Sequence, residues 1–122
     1  MTLEELAGLG RITKEVEPFK GLKVKLHSLT VKEEEEIYAE LAKVPDDMLV
    51  KTSLLQVETL VRSIETINGE KFHQPTILRD YLKGLQRHTF GLIWQSWVKE
   101  IEEPSVLSVD DLKKNSEPQK AA

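Results

Sequence analysis

The stretch from Met48 to Phe72 constrains the fold more than any other. Val50, Leu54, Val57, Val61 and Ile64 recur at spacings of four, three, four and three, with Leu60 and Ile67 beside them. That repeat puts a broad apolar stripe on one face of a helix, and such a helix must be central in a chain this short. Near Ile64 the pattern changes, because Ile64 to Phe72 centres on Asn68-Gly69, the dipeptide that most favours a two-residue hairpin turn. The helix therefore either runs to Ile67 or yields earlier to a small hairpin.

The 122 residues suffice for one modest core and not for two. An apolar share of 39% and a charged share of 31% suit a thin helical domain whose helices each expose a wide charged face. A net charge of -4 argues against a protein chiefly devoted to phosphate backbones. With no cysteine, disulfide frameworks, thiolate nucleophiles and zinc-thiolate sites are excluded, and an intracellular origin is the simplest expectation. The acidic start MTLEELAGLG lacks the basic and apolar regions of a signal peptide, and no window approaches the ~18 apolar residues of a membrane span. Neither export by that route nor membrane insertion is expected.

Thr2 and Glu5 have capping-box spacing, so Leu3 to Ala7 is expected to form a short turn that Gly8 and Gly10 end. From Arg11 to Lys20 the signals are mixed, and Pro18 argues against a central strand, which predicts an extended arm. Leu22, Val24 and Leu26 alternate with Lys23, Lys25 and His27, the period of a half-buried strand. Thr30 and Glu33 again have capping-box spacing, predicting a helix over about Val31 to Lys43 with Ile37, Tyr38, Leu41 and Val44 buried and Pro45 as its stop. Asp46 or Asp47 then caps the central helix.

Pro75 opens a third helix carrying Ile77, Leu78, Tyr81, Leu82 and Leu85. Gly84 and Gly91 predict a kink or short break before a last helix, which carries Leu92, Ile93, Trp94, Trp97, Val98 and Ile101 and ends at about Glu102, before Pro104. The expected fold is mostly α with a minor β part: a compact bundle of about four helices, a short N-terminal strand and a small Asn-Gly hairpin or turn. The expected organisation is an arm over 1–21, a helical domain over 22–103 and a flexible tail over 104–122, with a local capping signal at Ser108 to Asp111.

The search for chemistry returns little. His27, His73 and His88 have no metal-ligand spacing, and no cofactor is expected. Gly-x-Ser-x-Gly, the P-loop and Gly-x-Gly-x-x-Gly are absent. Glu33 to Glu36 point around a helix rather than converging, and they suit the positive end of its dipole. Arg79, Lys83 and Arg87, spaced by four, would share one helical face and could contact a nucleic acid backbone. Trp94 and Trp97, three apart, fit core anchors or an interface.

The order of features carries a resemblance. Leu26-His27-Ser28-Leu29-Thr30-Val31-Lys32-Glu33 is followed by an amphipathic helix and by Leu60-Val61-Arg62-Ser63-Ile64-Glu65-Thr66-Ile67-Asn68-Gly69-Glu70. Leu78-Arg79-Asp80-Tyr81-Leu82 and Gly91-Leu92-Ile93-Trp94 come later. Over about residues 22–101 this resembles the small tail assembly chaperones and related baseplate-hub proteins of tailed bacteriophages.

The resemblance implies a non-enzymatic role in virion assembly through protein–protein contacts. Partners would be tail or baseplate proteins or a second copy of the chain, with no membrane, and with nucleic acid disfavoured by the acidic total and kept only for the competing reading below. The setting would be the host cytoplasm during assembly, or the virion tail. In that reading Tyr81, Phe90, Trp94 and Trp97 anchor core or partner contacts, and residues 11–20 supply an adaptable arm. The competing expectations are a small helical DNA-binding regulator using Arg79, Lys83 and Arg87, and a general intracellular adaptor.

Overall fold

Two capping motifs set the starts of the central helices. Thr30 Oγ1 accepts from Glu33 N at 3.1 Å while Glu33 Oε1 accepts from Thr30 N at 3.0 Å, a complete capping box that starts α2 (Val31–Ala42). Asp47 Oδ1 accepts from Leu49 N at 2.9 Å and Val50 N at 3.2 Å, which starts α3 (Met48–Ser63). Each such cap contributes about 1 kcal/mol.

These contacts belong to a computed structural model that describes residues 1–105. Its elements run α1 (Leu3–Gly8), β1 (Thr13–Phe19), β2 (Leu22–His27), α2, α3, β3 (Ile64–Ile67), α4 (Pro75–Lys83) and α5 (Arg87–Trp97). A π-helical turn over Val98–Glu102 extends α5. The fold is mostly helical with a small three-stranded sheet.

The sheet has the order β1-β2-β3, with both pairings antiparallel. β2 alternates as its sequence predicts, with Val24 and Leu26 fully buried. The expected arm over residues 11–20 is extended, but residues 13–19 pair with β2 instead of standing apart. Pro18 lies where the pairing register shifts, between Val16 and Phe19, on an edge strand. An edge position tolerates the missing N–H, which is why proline argued against a central strand and not against this one. A three-stranded sheet therefore stands where a short N-terminal strand and a small Asn-Gly hairpin or turn were expected.

The apolar repeat of α3 stops being helical at Ile64, whose N–H still bonds Leu60 O as the chain turns into β3. Ile64 and Ile67, three apart, are both buried because the β2–β3 register shifts between Lys25 and Leu26. An extra residue at a bulge reorients the side chain that strict alternation would send outward. Asn68 and Gly69 both have positive φ, 50° and 80°, the backbone of a type I′ turn. Asn68 also locks the turn to β2: its N–H donates to Lys23 O and its Oδ1 accepts from Lys23 N, both at 2.7 Å.

The core gathers Val24 and Leu26 of β2, Val57, Leu60 and Val61 of α3, and Ile64 and Ile67 of β3. Leu78 and Leu82 of α4, Ile93 and Trp97 of α5, and Ile101 of the π-helical turn complete it. Each large side chain buried here contributes roughly 1.5–3 kcal/mol.

Two expectations about the helices, the burial in α2 and the end of the last helix, need correction. In α2 only Ile37 is buried, Leu41 and Val44 are half-buried, and Tyr38, the next residue and so about 100° round the helix from Ile37, is 63% exposed. In α4 Leu78 and Leu82 are buried while Ile77 and Tyr81 are exposed. Helical structure also passes the expected stop at Glu102 and continues through Ser105. The wide π turn, closed by Glu103 N–H to Val98 O, precedes Pro104 and eases the clash its ring would make with the carbonyl four residues back. The capping signal at Ser108 to Asp111, and most of the expected tail, lie outside the described residues.

Candidate interaction surfaces

Glu58, on α3, is the most buried charged residue among the described residues, at 4% exposure. Arg79 of α4 grips it with two bonds, Nε to Oε2 at 2.7 Å and Nη2 to Oε1 at 2.9 Å. Arg62, one turn on, donates from Nη1 to Glu58 Oε1 at 3.0 Å and from Nε to Glu36 Oε1 on α2 at 3.3 Å. Burial, the strongest single influence, pushes the Glu58 carboxyl up; hydrogen bonds from Arg79 and Arg62 and their charges outweigh it and hold its pKa below the usual value. The bond to Glu58 likewise raises Arg79. A carboxylate closed off and gripped by two guanidinium groups suits fastening α2, α3 and α4 together, and not proton transfer.

That arrangement bears on the three spaced cations. Arg79 is committed to Glu58, and α4 ends at Lys83. Arg87 begins the next helix after Gly84, Leu85 and Gln86, so the three residues do not share the continuous helical face that their spacing predicts. The turn at Gly84, whose N–H bonds Asp80 O and Tyr81 O, is where the helix closes.

A second ion cluster ties the N-terminus to the sheet. Arg11 Nη2 donates to Glu65 Oε1 at 2.7 Å, with Lys25 Nζ 3.5 Å from Oε2. Burial pushes Glu65 up, and Arg11, Lys25 and His27 together bring its pKa below the usual value. His27 Nδ1 lies 2.8 Å from Ser28 O, and since a carbonyl only accepts, Nδ1 carries the proton in this contact.

The four aromatic residues do not form one surface. Trp97 is a core residue at 9% exposure, stacked on half-buried Trp94 with centroids 5.1 Å apart. Phe90 is half-buried against the core. Tyr81 is exposed on α4, its ring 5.6 Å from that of Phe72 and tilted by 47°.

An exposed apolar feature lies inside the α3 repeat. Val57, Val61 and Ile64 reach the core, whereas the first two turns of the same stripe run past it. Met48 and Leu49 are each 81% exposed and Val50 is 45% exposed. They continue into an open groove of about 400 Å³ whose lining includes Leu49, Val50, Leu54 and Val57, with Lys83 of α4 on its edge. Periodicity identified the stripe but not its uncovered half. Glu58 had a signal too, since it sits four after Leu54 and three before Val61 with Arg62 four residues on.

Among the described residues, no group of three or more His, Cys, Asp or Glu side chains could hold a metal ion. No described helix is long and apolar enough to cross a membrane. No family model, curated protein or solved structure matches the chain.

Proposed function

We propose that this chain is a non-enzymatic morphogenesis protein of tailed bacteriophages, acting through protein–protein contacts as a tail assembly chaperone or baseplate hub component. The observation that carries the contact role is the uncovered half of the α3 stripe. Met48, Leu49 and Val50 present apolar side chains to solvent beside the groove, and contiguous apolar surface of this kind marks protein interaction sites. The groove along α3 suits the apolar face of a helix from a tail or baseplate protein, or from a second copy, with Lys83 placed to meet a carboxylate at its edge. The four longer helices, α2 to α5, are the framework of the bundle in this reading, and the Asn68-Gly69 turn is its small hairpin element.

The phage setting rests on the resemblance over residues 22–101 and places the protein in the host cytoplasm during assembly. Quantitative mass spectrometry of purified virions and of matched infected-cell lysate, with the proteins that co-purify, tests it. A fixed small copy number in virions makes the chain a baseplate or tail component. Absence from virions with a tail protein co-purifying from lysate makes it a chaperone. If neither outcome is observed, the phage reading is wrong.

A further inference from the structure

α1 is a helix that buries none of its own residues. All of Leu3–Gly8 is exposed, with Leu3 at 84% and Leu6 at 48%, and Leu9 follows at 62%. Leu3, Leu6 and Ala7 share one face through their spacing of three and four, with Glu4 at its side and Glu5 on the far side. Six residues are far fewer than the ~12 that an isolated helix needs in water, so an apolar face this bare calls for cover.

The groove at the start of α3 has the complementary lining. It is apolar except for Ser53 and Lys83, and Val50, Leu54 and Val57 follow one another at spacings of four and three. A helix laid in such a groove anchors through residues three and four apart, which Leu3, Leu6 and Ala7 supply. The charges match as well. α1 carries only Glu4 and Glu5, the groove lining carries only Lys83, and none of the three forms an ion pair with a described residue.

The tether of α1 decides between the chain's own groove and that of another copy. Ile12 N donates to Ser28 Oγ at 2.9 Å and Ser63 Oγ donates to His27 O at 2.6 Å, so the chain leading back to α1 starts beside the C-terminal end of α3. Leu49 lies fourteen residues back along α3, about 21 Å at helical rise. Leu9, Gly10 and Arg11 span about 10 Å at full stretch, and Arg11 is held by Glu65. That tether keeps α1 from the outer end of its own groove, whereas a neighbouring copy imposes no such limit. Twofold exchange covers the bare helix and the groove of both copies with one geometry.

We propose that α1 of one copy docks in the α3 groove of a second copy, and the second copy's α1 in the first, with Glu4 meeting Lys83 across each contact. The proposal rests on the reading of that groove as a contact surface and holds without the phage setting. Another partner would enter the groove by displacing α1.

The chain has no cysteine, so a nitroxide can be placed at one site, Glu5→Cys, on the side of α1 away from Leu3 and Leu6. Unlabelled chain bearing the nitroxide is mixed with ¹⁵N-labelled chain that bears none, at about 1 mM because two small patches give a weak dimer. Broadening of the amide signals of residues 49–57 in the ¹⁵N chain is expected, and only contact between copies produces it. Lys83→Glu in the ¹⁵N chain should cut the effect about fivefold, and Glu4→Lys added to the nitroxide chain should restore it. Leu3→Asp/Leu6→Asp in the nitroxide chain, at exposed positions, should abolish it. No broadening, broadening centred on another face, or an unaltered response to Lys83→Glu overturns the proposal. The Leu3→Asp/Leu6→Asp chain keeps its groove intact, so its capture of a proposed tail or baseplate partner tests the groove reading separately.

Discussion

Arg79 and Glu58, twenty-one residues apart, meet through two parallel bonds of 2.7 and 2.9 Å, and this pair joins α4 to α3. Removing the cation leaves a nearly enclosed carboxylate with Arg62 as its remaining guanidinium partner. Arg79→Ala should therefore destabilise the fold by about 3 kcal/mol, the low end for a buried pair because Arg79 keeps some solvent contact. Arg79→Lys should restore only part of that loss, since an ammonium cannot reproduce the two-pronged grip. Urea unfolding of the three proteins checks this, and equal stability of the alanine and lysine variants would sink the geometric part.

The same pair predicts an acid-side loss of stability. Glu58 and Glu65 both have folded-state pKa values below the usual ~4.3 of the unfolded chain. Their contribution is thus fully present above about 4.3 and is lost as pH falls through the lower folded values. The urea midpoint should be level from neutral pH to about 5 and fall below about 4, with a shallower fall in Glu58→Gln. An identical acid slope in that variant would remove Glu58 from the explanation.

At the turn after β3, Gly69 holds φ at +80°, a region where a Cβ is strained although nothing crowds it. Gly69→Ala should cost about 1 kcal/mol through backbone strain alone. Asn68→Ala should cost a similar amount by leaving Lys23 N without its side-chain acceptor. Thermal unfolding reads both, and a neutral Gly69→Ala would show that the turn relaxes.

Groove and core should separate cleanly in a binding assay. Leu49→Asp, at an exposed position, is expected to change stability by no more than about 0.5 kcal/mol while abolishing capture of the proposed tail or baseplate partner. Trp97→Ala, in the core, is expected to cost about 3–5 kcal/mol. If Leu49→Asp unfolds the chain, or binds its partner normally, the groove is not the contact surface.

Most of the local architecture was legible before any coordinates. Thr30 with Glu33, Asp47 ahead of Leu49, the alternation around Val24 and Leu26, and Asn68-Gly69 each act over a few residues of backbone, and each appears where its pattern predicts. The break after Lys83 follows from the same local chemistry at Gly84. The candidate sites were much less legible. Tyr38 and Val50 carry the same apolar signal as Ile37 and Val57, yet they lie outside the core.

What the sequence by itself determined, then, is where the helices begin and where the tight turns fall, because caps, periodicity and positive-φ residues are properties of neighbours along the chain, whereas it left open where α3 gives way to β3 and placed the end of the last helix too early. Only the tertiary structure decided which part of the α3 stripe meets the core, that residues 13–19 pair as an edge strand, and that Glu58 is enclosed by Arg62 and Arg79. It also left the buried Trp97 Nε1 without an acceptor among the described residues. Burial and pairing depend on which distant element arrives at a given face, and that is settled by the packing of the whole domain rather than by any residue's own neighbours.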